Sequence, residues 1–142
     1  MKVLFCLFVI STCANNQLNY SCSKCKIDTI TNVLKINSSD NIREFICIFD
    51  KSCINNAEFF EYYNESLFIV LEQNPFRFIE TLSLFDKNKI SQIVGILEAP
   101  INDSIDVSKI IDLVNIQKFN THNQKKTKQM ILKSLFLALK KT

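Results

Sequence analysis

The sequence has almost none of the residues that build tight turns. Gly95 is its single glycine, and Pro75 and Pro100 are its two prolines. Tight hairpins and phosphate-binding loops both need glycine, so this scarcity excludes a glycine-rich nucleotide loop and disfavours a sheet of short strands. Apolar residues instead recur at spacings of three and four, which is typical of amphipathic helices. The sequence therefore predicts an all-α protein.

Side chains for catalysis are equally scarce. His122 is the only histidine and stands in a polar, lysine-rich stretch, whereas triad-type hydrolysis needs an imidazole beside a nucleophile. We expect His122 to be exposed and without a role. Four glutamates that share one side of a predicted helix could serve acid/base work or bind a cation, but a solvated helix face is the commoner explanation; they are Glu58, Glu61, Glu65 and Glu72. We predict a non-enzymatic protein with no metal and no cofactor.

The first fourteen residues look like an export signal. They combine a basic start, a short apolar run and small residues up to Ala14, which predicts a signal peptide over 1–14 and a secreted protein, extracellular or periplasmic or lumenal according to the host. A buried first helix and a lipidated Cys13 are the alternatives. Cleavage leaves 128 of the 142 residues, enough for one domain. We divide them into a helical, cysteine-containing region over 15–98 and a helical region over 99–142.

Four cysteines follow the predicted signal, at Cys22, Cys25, Cys47 and Cys53. In an oxidising compartment such a set predicts two disulfides, with three possible pairings. The alternatives are a zinc site, for which the spacing is loose and secretion unfavourable, and a redox Cys-x-x-Cys pair, which here lacks a βαβ-like surrounding. The prediction is a small, disulfide-stapled helical bundle.

Hydrophobic periodicity and capping residues divide the chain into five to seven short helices. Asn, Ser and Asp residues over 37–41 separate the first two helices and offer N-caps for the second. Pro75 suits the first turn of the fourth helix. The predicted helices cover about 22–36, 42–53, 57–73, 75–85, 86–97, 107–116 and 123–140.

The last predicted helix carries the basic charge of the chain. Residues 15–117 hold nine basic and fourteen acidic side chains, whereas residues 118–142 hold seven lysines and no acid. Lysines seven residues apart share a line along this helix, and the opposite side is apolar with Ile131, Leu135 and Leu139. Cationic amphipathic helices of this type lie on anionic bilayers. We therefore predict four membrane-contacting residues, which are Lys126, Lys133, Lys140 and Phe136. In the alternative, the apolar side packs into the core and the lysines only keep the protein soluble.

Asparagine sequons of the Asn-x-Ser type begin at Asn19, Asn37, Asn64 and Asn102. In a eukaryotic host, some of these would carry glycan and therefore lie on the surface. We take Asn37 and Asn64 as the predicted glycosylation sites.

Residues 20–97 resemble a saposin-like domain of the saposin B type, in divergent form. Members of that family are exported helical domains that bind or disturb lipids, and their first helix carries Cys-x-x-Cys behind an aromatic residue. Here Tyr20 precedes Cys22 and Cys25, a sequon follows at Asn37, and the second helix closes on Phe-Asp-Lys-Ser-Cys at Cys53. The last cysteine pair of the family is absent. The additional Cys47 would let both cysteines of the first helix bridge to the second.

The resemblance and the basic helix together indicate a secreted, non-enzymatic helical protein that interacts with lipid or membrane surfaces. The alternative is an exported protein-binding module, such as an effector or inhibitor, in which an acidic body and a basic end contact a protein partner. Nucleic acid is not an expected partner, because the strongly basic tail is confined to one helix instead of being spread over a face with stacking aromatic residues. The sequence predicts no particular oligomeric state.

Overall fold

The structure is a computed structural model that describes residues 27–28, 30–31 and 38–141, and every regular element in those residues is helical. This confirms the all-α prediction for the part of the chain it describes. Ile27, Asp28, Ile30 and Thr31 are helical, and a 3-10 helix covers Lys51–Asn55. Within 38–141 there are six α-helices, which are α1 (Ser39–Ile48), α2 (Ala57–Gln73), α3 (Pro75–Leu82), α4 (Lys87–Ile96), α5 (Val107–Asn115) and α6 (His122–Leu139).

Side-chain caps fix where these helices begin. The Ser38 hydroxyl accepts a hydrogen bond from the Asn41 backbone N–H at 3.2 Å before α1. Asp86 caps α4 in the same way, through one carboxylate oxygen. At α6, Thr121 and Gln124 form a reciprocal capping box. Each cap satisfies backbone donors that have no partner inside the helix, so the short polar segments of the sequence set the helix boundaries.

Two predicted helices are too long. The second ends at Ile48 rather than near Cys53, because the Asp50 carboxylate accepts from the Ser52 N–H at 3.0 Å and begins the separate 3-10 helix. The fourth ends at Leu82, and Phe85 lies beyond it in the turn to α4. Residues 83–85 form the turn between the two helices, and Asp86 caps the next one.

The core is apolar and rich in aromatic rings. The ring of Tyr63 contacts three phenylalanine rings, with centroid distances of 4.5 Å to Phe45, 4.9 Å to Phe49 and 5.7 Å to Phe59. All four side chains are buried. Aromatic pairs at such distances add to the stabilisation that burial of their area supplies. Helices α1 and α2 are therefore joined by a ring cluster near the front of the described chain.

The last two helices belong to the same core. Helix α6 packs on α3, α4 and α5, and α5 packs on α2 and α3. The buried apolar residues of all six helices form one connected cluster. In the part of the chain that the structure describes, no helix has both the length and the apolar character needed to cross a bilayer. Helix α6 is thus fixed to the core on its inner side and exposes its outer side to solvent.

The prediction of a glycan on Asn64 is wrong for the folded chain. Asn64 lies in the middle of α2 and its side chain has no solvent exposure. Its amide nitrogen donates to the Ala99 carbonyl at 3.1 Å, and its amide oxygen accepts from the Ile101 N–H at 3.1 Å. The nitrogen that would carry the sugar is therefore used to hold the segment around Pro100. Predicted features at 1–14, at Cys22, at Cys25 and at Asn37 lie outside the described residues.

Candidate functional site

The inner side of α6 is a narrow apolar stripe. Ile131, Leu135 and Ala138 follow one another at i, i+4 and i+7 and have no solvent exposure. The predicted stripe ended on Leu139, and that assignment is wrong because Leu139 is 42% exposed. Ala138 is buried in its place. On a helix of 3.6 residues per turn, Ala138 lies closer than Leu139 to the line through Ile131 and Leu135. Leu139 is left at the boundary with solvent.

The outer side of α6 carries the four residues predicted to contact a membrane. Lys126, Lys133 and Lys140 are all exposed, and Phe136 exposes 50% of its surface. Phe136 lies three residues after Lys133 and four before Lys140, so it is a surface neighbour of both. The structure therefore brings the four residues together on one face. We call Lys126, Lys133, Phe136 and Lys140 the outer face of α6.

Two other lysines of the basic segment hold the fold together. The Lys128 ammonium donates to the Asn115 carbonyl at 2.6 Å and to the Gln117 carbonyl at 2.7 Å, at the end of α5. The Lys141 ammonium donates to the Glu98 carbonyl at 3.1 Å. A lysine at the C-terminal end of a helix satisfies carbonyls that have no intrahelical partner and interacts well with the helix dipole. Sequence reasoning missed this distinction, because spacing alone does not show which lysines bond to backbone.

A small cleft opens between α6 and the beginning of α4. Its volume is about 230 Å³. Lys126 belongs both to the outer face and to this cleft, and Lys87 contributes a second exposed ammonium from α4. The lining contains no carboxylate. It consists of Ser83, Phe85, Lys87, Ile90, Asn123, Lys126, Thr127 and Met130.

The four glutamates of α2 differ in their surroundings. Glu58 and Glu61 are exposed, whereas Glu65 accepts a hydrogen bond from the Asn102 amide at 3.0 Å. Glu72 accepts from the Lys109 ammonium at 2.6 Å, and this hydrogen bond and the charge of Glu72 raise the pKa of Lys109. Among the described residues, no three His, Cys, Asp or Glu side chains are arranged to hold a metal ion.

The single histidine is the first residue of α6 and is exposed, as the sequence predicts. Its imidazole lies on a solvated surface, outside the cleft.

The two described cysteines lie at the end of α1 and in the 3-10 helix. Cys53 is fully buried and Cys47 is half-buried. The Asp50 N–H donates a hydrogen bond to the Cys53 sulfur at 3.4 Å. The pairing of the four predicted cysteines stays a prediction, because Cys22 and Cys25 lie outside the described residues.

Comparison with known proteins adds no family to this description. No protein-family model matches the chain, and neither a curated protein nor a solved structure does. The outer face of α6 is therefore the feature of the molecule that indicates a function.

Proposed function

We propose that this protein is secreted and binds anionic membrane surfaces through the outer face of α6. The observation that carries the proposal is a half-exposed Phe136 between two exposed lysines, on a helix whose opposite side is buried in the core. A phenylalanine in such a position can enter the boundary between headgroups and acyl chains while the lysines contact the phosphates.

The charge of the face is sufficient for measurable binding at low salt. Each lysine near an anionic bilayer contributes about 1 kcal/mol, so three lysines supply a useful attraction. Exposed Leu139 adds apolar area beside Phe136. Because exposed charges are screened within about 10 Å at 0.1 M salt, binding should weaken as salt rises.

The fold presents this face at little entropic cost. Ile131, Leu135 and Ala138 hold α6 on the core, and the capping box at Thr121 fixes its start. A peptide that becomes helical only on the bilayer must spend part of its interaction energy on ordering, whereas a preformed helix does not. Preorganisation therefore supports binding by a face with only four contacting residues.

We further propose that the first part of the chain is a saposin-like, disulfide-stapled region of an exported protein. The positions of Cys47 at the end of α1 and of Cys53 in the 3-10 helix support it. The predicted export signal also supports it, since disulfides persist in oxidising compartments. In this proposal the partners of these two cysteines are Cys22 and Cys25. Non-reducing peptide mapping of the secreted protein tests both points, and a free thiol at Cys22 or Cys25 would overturn the stapling.

Co-sedimentation with vesicles tests the membrane proposal. The mature protein should sediment with phosphatidylglycerol-containing vesicles at low salt and remain in solution with pure phosphatidylcholine. Lys133→Glu with Lys140→Glu should abolish sedimentation. The matched control is Lys51→Glu with Lys118→Glu, which changes the net charge equally at two exposed lysines away from the outer face.

The comparison separates a specific face from general electrostatic attraction. Retained sedimentation of the control pair supports the outer face. Equal losses in both pairs would mean that only net charge matters, and no sedimentation of the wild-type protein would end the proposal. In that last case the exported protein-binding module remains as the candidate function.

A further inference from the structure

We propose that the cleft between α4 and α6 binds a small organic anion with a short apolar body, of the alkyl phosphate or alkyl carboxylate class. The cleft combines two lysine ammonium groups with three apolar side chains and has no acidic residue in its lining. This composition suits an amphiphile with one negative end.

The apolar floor is preformed. Phe85, Ile90 and Met130 are half-buried and pack against the main core with the other part of their surface. Since these side chains are held on their inner sides, the cleft does not need the ligand to build it. Met130 also adapts to varied shapes, because its side chain is unbranched and polarisable.

The two helices present their lysines in similar ways. On α6, Lys126 precedes Met130 by four residues, and on α4, Lys87 precedes Ile90 by three. These spacings put each lysine on the same side of its helix as the apolar residue, one turn away. A ligand whose charge lies at one end and whose carbons lie at the other matches that division.

The polar groups of the lining distinguish an anion from a neutral ligand. The Ser83 hydroxyl already donates to the Glu80 carbonyl at 2.7 Å, so it offers the cleft only acceptor lone pairs. An anionic oxygen would be repelled there and would bind instead to Lys87, Lys126 and the amide of Asn123, which also line the cleft. Hydrogen bonds to charged groups are stronger than neutral ones, which favours an ionised head group over an alcohol.

The size of the cleft limits the ligand. Its volume of about 230 Å³ corresponds to roughly eight water-sized groups. The head group and the first few carbons fit, and a longer chain would extend beyond the opening. Membrane binding by the outer face is not required for this site, although both use Lys126.

Nuclear magnetic resonance of the Met130 methyl group provides a direct test. The sequence contains two methionines, Met1 and Met130, so ¹³C-methyl labelling gives at most two signals, and Met130→Leu identifies the relevant one. Hexyl phosphate, used below its micelle-forming concentration, should shift the Met130 signal saturably. Hexanol and inorganic phosphate, each alone, should shift it much less.

Substitutions then assign the site. Lys87→Gln with Lys126→Gln should raise the Kd for hexyl phosphate by about tenfold or more at low salt, the loss expected for charge-assisted hydrogen bonds. The matched control is Lys133→Gln, on the same helix but outside the cleft, which should leave the Kd unchanged. An equal shift with hexanol, or an unchanged Kd in the double variant, would overturn the proposal.

Two further experiments test the cleft separately from membrane binding by the outer face. Lys133→Glu with Lys140→Glu should retain hexyl phosphate binding and lose vesicle binding. Lys87→Gln should weaken hexyl phosphate binding and retain vesicle binding. If the Met130 signal responds only to anionic vesicles and never to monomeric hexyl phosphate, the cleft is not a site for a soluble anion and the inference fails.

Discussion

The Tyr63 hydroxyl donates a hydrogen bond to the main-chain carbonyl of Phe45 at 3.2 Å, and the two rings stack with centroids 4.5 Å apart. The interaction joins the middle of α2 to α1 through both polar and apolar atoms. Tyr63 has no solvent exposure, so water cannot replace the carbonyl partner while the fold is intact. This single side chain therefore connects α1, which contains Cys47, with α2.

Removing the Tyr63 hydroxyl should destabilise the protein without disturbing the ring stack. We expect Tyr63→Phe to lower the free energy of unfolding by about 1 kcal/mol, the net value of a typical buried hydrogen bond. Urea unfolding followed by circular dichroism measures it. Tyr62→Phe is the matched control, because its hydroxyl is only half-buried and lies 3.4 Å from the Thr31 hydroxyl. A larger loss in the control would contradict this ranking.

Burial of Tyr63 also predicts how stability depends on alkaline pH. Burial raises the pKa of this phenol well above its usual value, which is near 10 in an unfolded chain. The contribution to stability is complete below about pH 10 and is lost as pH rises towards the folded-state pKa, because the unfolded state releases the proton first. Tyr63→Phe should therefore flatten the fall in unfolding free energy above about pH 10. An identical fall in both proteins would exclude Tyr63 as its source.

Asn64 should behave as a structural clamp. We expect Asn64→Ala to lower the free energy of unfolding by about 1 to 3 kcal/mol, since it removes two hydrogen bonds that hold the chain on either side of Pro100. The control is Asn55→Ala at an exposed position of the 3-10 helix, which should change stability by less than about 0.5 kcal/mol. Peptide mapping should find Asn64 without glycan, and a glycosylated, folded Asn64 would refute the clamp.

Much of the helical architecture could be predicted from the residues that mark helix boundaries in the sequence. Helix α2 begins and ends at the predicted residues, and α3 begins at Pro75, because both boundaries are marked by residues with strong local preferences. The failures have a different origin. The 3-10 helix after Asp50 and the buried clamp of Asn64 depend on partners supplied by capping geometry or by distant segments. A local pattern contains no information about such partners.

The candidate site was predictable in the same uneven way. A seven-residue spacing was enough to align Lys126, Lys133 and Lys140 on one side of α6. The sequence did not show which of Ala138 and Leu139 is buried. Hydropathy favours leucine for the core, but the buried residue is Ala138. The cleft beside Lys126 requires the packing of α4 on α6, two helices separated by about a full helix and its loops. Tertiary contacts of that kind are absent from the periodicity of either helix.

Lys128 should contribute to stability more than its exposed neighbours. We expect Lys128→Gln to lower the free energy of unfolding by about 1 kcal/mol, because the ammonium is bonded to two carbonyls at the end of α5 and each loss falls in the usual range for such contacts. Lys125→Gln, one turn earlier and exposed, is the control and should have little effect. Thermal unfolding at matched salt separates the two, and equal effects would contradict a capping role for Lys128.

Adjacent residues of α6 should separate stability from membrane binding. Leu135 is fully buried and Phe136 is half-exposed, so Leu135→Ala should cost about 2 to 5 kcal/mol of unfolding free energy through lost burial and a cavity. Phe136→Ala should cost less than about 0.5 kcal/mol, as surface substitutions usually do, yet it should weaken sedimentation with anionic vesicles. Ile116→Ala, at an exposed apolar side chain outside α6, is the control for general loss of surface hydrophobicity. If Phe136→Ala and Ile116→Ala bind vesicles equally well, Phe136 does not enter the bilayer boundary and the lysines alone must account for any attraction.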